Sequence, residues 1–282
     1  MMQIHPVPAF DDNYLWVIED GRHAAVVDPV DDAPVQAFLA ARGLTLTAIL
    51  VTHHHGDHIG GLEALAARWK CEVFGPAGEK IEGLTTRLRE GERITVPGLD
   101  LALAIFDVPG HTAGHIAYYG GDATLHQDRD SPGARDERRV ASPFPFRHPV
   151  LFCGDTLFAC GCGRLFEGTP EQMADSLAKL ARLPGDTRVY CAHEYTMSNI
   201  RFAEAVEPGN AMLAARKARD AGLRARNQPT VPSTIADELD SNPFLRSTSA
   251  EVIASASRQA GRPLTTPVEV FTAVRAWKNS FR

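Results

Sequence analysis

Over roughly the first two thirds of the chain, short apolar runs that stop at turn residues alternate with segments of helical spacing. Ala48-Ile49-Leu50-Val51 is a continuous apolar run, the pattern of a strand buried on both faces. Val150 to Cys153 repeats it, and Arg188 to Cys191 reads as a last strand. Tyr14 to Glu19 and Ala24 to Asp28 read as two strands joined at Asp20-Gly21, a hairpin signal. Leu99 to Val108 and Ile116 to Tyr119 add two more strands, and Glu72 to Val96 mixes short strands with turns. Between these runs, Pro34 to Gly43 reads as a helix closed by glycine, and Leu62 to Trp69 has helical spacing. Thr169-Pro170-Glu171 opens another helix with a cap, a proline at the first position and an acid in the first turn, running to about Leu183.

From Glu194 onward the pattern is helical only. Ala203, Val206, Met212 and Leu213 lie on helical spacing; Pro229 to Ser233 is a connector; Ser249 to Ala260 and Pro267 to Phe281 are further helices. A mixed strand-and-helix domain over residues 1–193, followed by a helical domain over 194–282, is therefore expected. Gly120 to Pro149 breaks the pattern, with clustered charges, several prolines and little apolar content. It predicts a long exposed loop over 121–149 that can be removed, with His126 and His148 outside any site.

Chemistry collects where the buried runs end. Thr52-His53-His54-His55-Gly56-Asp57-His58 follows the first run directly. If strand direction persists, His53 and His55 point to one side and His54 to the other, so the first two can grip one ion. Asp57 and His58 come after Gly56, face a different point and can hold a second ion. A chance polar loop is the plain alternative, but alternating His-x-His followed by Asp-His has no packing rationale. Glycines at 110 and 114 expose His111 on a turn, while His115 opens the next strand and reads as structural. Asp155 and His193 also stand where strands give way to turns. Asp28 does too, either as a turn residue or as a carboxylate orienting a ligand histidine. A lone Cys160-x-Cys162 points to packing rather than metal binding.

Seven ligands are too many for one catalytic ion, which needs about three and an open position. They suit two ions sharing Asp155, roughly 3.5–4 Å apart, with water between them acidified to a pKa of about 7. Imidazole and carboxylate together suit zinc first, with iron or manganese as alternatives. The reaction class is metal-assisted hydrolysis.

Composition narrows the rest. The 282 residues are 44% hydrophobic and 23% charged, as in ordinary globular proteins. No apolar run approaches the roughly 20 residues of a membrane span, and Met1 to Asp12 has no secretory pattern. Five cysteines, an odd number, suit a reducing cytoplasm. The net charge of −6 divides into −9 over residues 1–193 and +3 over 194–282. The acidic part fits cation binding. The mildly basic part suits a small anion and is too weakly charged for nucleic acid.

The motif Thr52-His-His-His-Gly-Asp-His58 resembles the Thr-His-x-His-x-Asp-His signature of the metallo-β-lactamase superfamily. With Gly154-Asp-Thr-Leu-Phe158, Gly161-Cys-Gly-Arg164, Cys191-Ala-His-Glu-Tyr195 and the helical tail to Arg275 and Lys278, the chain resembles the hydroxyacylglutathione hydrolase (glyoxalase II) family. That resemblance implies an αββα sandwich followed by a small all-helical domain. It also implies hydrolysis of S-D-lactoylglutathione to glutathione and D-lactate, the second step of methylglyoxal detoxification, by a cytoplasmic monomer. His53, His55 and His111 would hold one ion, and Asp57, His58 and His193 the other, with Asp155 bridging. Asp57 and Asp155 would be catalytic. Arg164, Phe166, His193, Tyr195, Arg275 and Lys278 would face the glutathione thioester. Phe166 stands where some members carry tyrosine, Arg164 where they carry lysine, and the 121–149 segment is longer than usual. A mono-iron persulfide dioxygenase of the same superfamily, using His53, His111 and Asp155, is the alternative. The helical tail argues against it.

Overall fold

The computed structural model describes residues 2–121 and 145–281. Most of the expected 121–149 loop, including His126, lies outside the described residues. The flanking strands pair directly, Val150 opposite Gly120. Phe146, inside the expected loop, packs against the core.

Two six-stranded sheets face each other. The first runs β1 (Gln3–Ala9), β2 (Asn13–Glu19), β3 (His23–Val27), β4 (Thr45–Leu50), β5 (Glu72–Pro76), β6 (Thr86–Leu88). Its first three strands are antiparallel and β3 to β6 are parallel. Alternation sorts its side chains. Leu15 and Val17 of β2 pack outward with Val35 and Leu39 of helix α1 (Asp32–Arg42), and with Leu65 of α3 (Leu62–Trp69). Trp16 and Ile18 point inward to the second sheet. The short helix α2 (Gly56–Ile59) carries the Asp57-His58 pair.

The second sheet contains β7 (Arg93–Thr95), β8 (Ala102–Asp107), β9 (Ile116–Gly120), β10 (Val150–Gly154), β13 (Arg188–Cys191) and β14 (Ser233–Thr234). Between β10 and β13 lie the small hairpin β11 (Leu157–Phe158) with β12 (Gly161–Cys162), and helix α4 (Pro170–Ala181). α4 starts in a full capping box of Thr169 and Gln172 with Pro170 inside it, as its sequence predicts. The helical region supplies α5 (Thr196–Val206), α6 (Ala211–Arg224), α7 (Ile235–Ser241), α8 (Ala250–Ala260) and α9 (Pro267–Ser280). Layers of helix, sheet, sheet and helix, extended by these helices, match the expected architecture.

Four strands depart from the sequence reading: β1, β14 and the two-residue strands β11 and β12, which pair where Gly161 to Arg164 suggests a flexible loop. β1 contains Pro6 and Pro8, yet pairs along its length with β2. It is an edge strand, where a missing N–H can face away from the ladder. β14 falls in the region expected to be all helical. It is only two residues long, too short for any periodicity, and forms because β13 offers it an open edge. Across residues 193 and 194 the apolar core continues without a break, from Phe152 and Val189 to Phe202 and Phe271. No helix among the described residues is long and apolar enough to cross a membrane.

Candidate metal centre and substrate cavity

The sheets converge at their strand ends. Ile116 donates its N–H to the Thr52 carbonyl, and Tyr118 Oη donates to the Val51 carbonyl at 2.8 Å. Trp16 Nε1 donates to the Cys191 carbonyl at 2.9 Å. Asn13 bridges to His193, with Glu194 N–H bound to the Asp12 carbonyl. These cross-links join β9 to the end of β4 and β2 to β13, and with the pairing of β8 and β10 to β9 they bring the ends of β4, β8, β10 and β13 to one place.

Three side-chain groups there have their ligand atoms close enough to hold a cation: His53, His55 and His111; His53, His58 and Asp155; Asp57, His58 and His193. In the first, His55 Nδ1 lies 3.2 Å from His53 Nε2 and 3.0 Å from His111 Nε2. Two imidazole nitrogens on a tetrahedral zinc sit about 3.3 Å apart. The hydrogen bonds behind the rings settle which nitrogens carry protons. Thr52 Oγ1 donates to Asp28 Oδ2 at 2.8 Å, so it accepts from His53 Nδ1 at 3.1 Å. His111 Nδ1 donates to the Arg164 carbonyl at 2.9 Å. Both Nε2 atoms therefore present lone pairs to His55. Burial, and then the crowding of neighbouring imidazoles, hold His53 well below the ordinary histidine range. Burial outweighs the Asp155 carboxylate and lowers His111 as well. Neutral rings with converging lone pairs make a cation site.

Across from this triad, His58 Nδ1 donates to Asp28 Oδ2 at 3.1 Å. His58 Nε2 and Asp155 Oδ1, 3.3 Å apart, are buried with no hydrogen-bond partner among the described residues. Orphaned buried acceptors are costly unless a cation satisfies them. Without one, burial disfavours the charged imidazole, but the Asp155 and Asp28 carboxylates outweigh it and raise His58 well above its usual range. Burial likewise opposes the Asp155 charge, yet His58, His193 and His111 hold that carboxyl far below the usual range. His193 Nδ1 bonds Asp12 Oδ1 at 2.9 Å, and its Nε2 lies 3.4 Å from Asp155 Oδ1 and 3.6 Å from Asp57 Oδ2. The donor set fits two divalent cations.

Other residues hold these ligands. Asp28, left open between turn and orienting roles, does both: its backbone is left-handed (φ 48°), and its carboxylate accepts from Thr52 N, Thr52 Oγ1 and His58 Nδ1. His115 is structural, as read, with Nδ1 bound to the Ile116 carbonyl and Nε2 accepting from Asp155 N–H. His54 points away to Glu79 Oε2 at 2.9 Å and Glu167 Oε1 at 3.3 Å. Asp12, Glu79 and Glu167 have no marker in the sequence, although Asp12 immediately precedes Asn13, the start of β2, which bridges to His193. All five cysteines are free thiols. Cys160 Sγ lies 3.3 Å from the Ser241 carbonyl, and Cys162 Sγ 3.6 Å from Arg275 Nη1.

A cavity of about 600 Å³ opens on the cluster. His55, Asp57, His111, Asp155 and His193 form one wall, and Arg164, Phe166, Tyr195, Arg275 and Lys278 line the remainder. Tyr195 stacks on His193 with ring centroids 4.7 Å apart, and Phe166 stands edge-on to His55 and His111. The two tail cations are held differently. Arg275 is buried, giving Nη1 to the Cys162 carbonyl at 2.9 Å and Nη2 to Asn279 Oδ1 at 3.0 Å. Lys278 is half-buried, with Nζ 3.2 Å from the Ser198 carbonyl. Both line the cavity, but Arg275 spends Nη1 on the Cys162 carbonyl and Nη2 on Asn279, whereas Lys278 gives one contact to a carbonyl and lies over the Phe202 ring at 5.2 Å.

Comparison with known proteins brings the same two parts together. Residues 10–125 match the family model described as metallo-beta-lactamase superfamily. Residues 194–281 match the model described as hydroxyacylglutathione hydrolase C-terminus. Hydroxyacylglutathione hydrolase from Cupriavidus taiwanensis is 54% identical, covering all of both chains. The same-named protein of Pseudomonas aeruginosa is 51% identical, again over the full length of both. Among solved structures, ETHE1 from Myxococcus xanthus superposes with a TM-score of 0.60 at 24% identity, covering 99% of this chain and 98% of that one. At that identity the likeness is one of fold.

Proposed function

The chain belongs to the hydroxyacylglutathione hydrolase family, and we propose that it hydrolyses S-D-lactoylglutathione and related 2-hydroxyacylglutathione thioesters to glutathione and the free 2-hydroxy acid. The observation that carries this reading is one cavity walled on one side by converging metal ligands and on the other by aromatic and cationic side chains. We assign one ion to His53, His55 and His111, and one to Asp57, His58 and His193, with Asp155 between them. Zinc is the first choice; iron and manganese suit the same donors. Bound there, two divalent ions supply water acidic enough to attack at neutral pH.

The chain's own residues do the rest. Asp57, whose side chain is 46% exposed, faces the cavity and takes the proton of the attacking water on its carboxylate. Phe166 and Tyr195 flank the acyl end, and Lys278 with Arg164 draws the anionic glutathione arm into register. Attack on the thioester carbonyl forms a C–O bond, breaks the C–S bond, and delivers the proton to the departing sulfur. A cytoplasmic location fits the five free thiols, and a monomer is proposed. The test is to follow thiol and D-lactate release from S-D-lactoylglutathione, beside oxygen uptake with glutathione persulfide. Equal release of both products is expected; oxygen uptake without thioester cleavage would sink the reading in favour of the dioxygenase.

A further inference from the structure

The helical region grips one segment of the metal domain at many points, and that segment touches two of the assigned ligands. Residues 156–166 begin next to Asp155 and pass through the β11–β12 hairpin to Arg164, whose carbonyl accepts from His111 Nδ1 at 2.9 Å. Phe166 N–H then bonds the His111 carbonyl. Gly163 packs so closely that a Cβ there would meet the Asp155 carbonyl and His111 Nδ1. Any shift of this segment is a shift of the metal wall.

Its turn is held from the other side of the molecule. Cys160 adopts a left-handed backbone (φ 57°), unusual for a residue with a side chain. Its N–H donates to Glu238 Oε2 at 2.8 Å. Asn242 Nδ2 donates to the Gly161 carbonyl at 2.9 Å, and Asn199 Nδ2 to the Ala159 carbonyl at 3.1 Å. Arg275 Nη1 donates to the Cys162 carbonyl at 2.9 Å. Glu238 is itself fully buried and held by Arg216 Nη2 at 2.7 Å, with Arg216 Nε 3.3 Å from Asp220. A buried ion pair contributes little net stability. It does hold a carboxylate in one orientation, here aimed at the Cys160 N–H.

We infer that Glu238, Asn242 and Arg275 are positioning residues for the metal centre, setting His111 and Asp155 through the 156–166 segment. The helical region is therefore part of the metal site as well as a wall of the substrate cavity. This rests on the two-metal reading above, and the experiment separates the two.

Asn242→Ala removes the bond to the Gly161 carbonyl and the 3.0 Å bond from Asn242 Nδ2 to Glu238 Oε2, while leaving every charged side chain in place. Arg216→Met/Glu238→Leu removes the ion pair together, leaves the buried Asp220 carboxylate paired with Arg219 Nε at 2.7 Å, and deletes the Cys160 acceptor. Metal per protein is measured during titration with a chelator, and cobalt-substituted protein is followed by its visible absorption, which reports ligand geometry. Loss of outer partners typically weakens metal affinity 10–100-fold. The expected result is that both variants, with unfolding transitions near wild type, release one equivalent at about tenfold less chelator and shift the cobalt spectrum. Lys278→Ala, in the same region but off the segment, keeps the wild-type metal curve. If Asn242→Ala folds and keeps that curve and spectrum, the inference fails whatever the double variant does. If wild-type protein takes up no metal at all, the two-metal reading fails first.

Discussion

His53, His58 and His111 each give the ring nitrogen facing away from the cavity to one fixed partner: Thr52, Asp28 and the Arg164 carbonyl. On the opposite wall Phe166 is 63% exposed and Tyr195 37%, and Lys278 Nζ is held by the Ser198 carbonyl and the face of the Phe202 ring. The first wall is pre-organised in buried surroundings, where a misplaced ligand loses its ion. The second is partly solvated and can adjust to the occupant. Chemistry needs fixed geometry, whereas recognition of a long flexible arm tolerates slack. Substitutions on the first wall should change metal content and rate together, and those on the second should change KM.

The largest effect should come from Asp155→Ala. It removes the carboxylate that lies within 3.4 Å of His58, His111 and His193. Loss of at least one metal equivalent and about 10³-fold in kcat/KM is expected, roughly 4 kcal/mol of barrier. Full occupancy of two metals in that variant would mean Asp155 is not the bridge. Next comes Asp28→Asn, which touches no ion but weakens the hold on Thr52 and His58. Metal affinity should fall 10–100-fold, read by chelator competition. An unchanged titration would show that the rings are held by packing alone.

The first wall was legible because its ligands sit at the ends of buried runs. His53, His55, Asp57 and His58 fall within six residues; strand alternation separated His53 and His55 from His54, and the turn at Gly56 set Asp57 and His58 apart. Asp12 was not, because it meets His193 across 181 residues and follows no period. Glu238 hid for the same reason: on α7 it is one acid among several, and its role appears only when β11 and β12 lie against it. β1 was obscured by its prolines, and β14 by its length. Arg275 and Lys278 both line the cavity, but their different anchoring was not legible, because helical spacing specifies a face and not what the neighbouring strand offers each to bind.

Lys278→Met should act on the second wall. Burial, and then the Arg275 charge, lower the ammonium to about 8. It is therefore cationic below that pH and neutral above it, so its attraction for an anion is present below pH 8 and lost as pH rises. For wild type, kcat/KM with S-D-lactoylglutathione should fall through that inflection, which belongs to the free enzyme. In Lys278→Met the inflection should vanish and KM rise about tenfold, as for loss of one charge-assisted hydrogen bond. A small thioester without carboxylates should be unaffected. If both substrates lose the same factor, the lysine supports the fold instead of selecting the substrate.

The smallest change should be Phe166→Tyr, and it decides to which wall this residue belongs. Its ring stands edge-on to His55 and His111 at 5.5 and 5.3 Å, so proximity alone would group it with the metal ligands. Its backbone N–H does hold the His111 carbonyl, but that bond does not depend on the side chain. A hydroxyl added to an exposed ring edge displaces water without forcing a buried polar group, so no loss of metal is expected. What it can gain is one hydrogen bond to the bound thioester, worth roughly 0.5–1.5 kcal/mol net. At that exposure the lower figure applies, which is about a twofold fall in KM. Binding shared by ground and transition states leaves kcat unchanged. A fall in kcat together with easier metal release would mean that the ring helps to hold the His55 and His111 imidazoles, and the line between the walls would then run on the other side of Phe166.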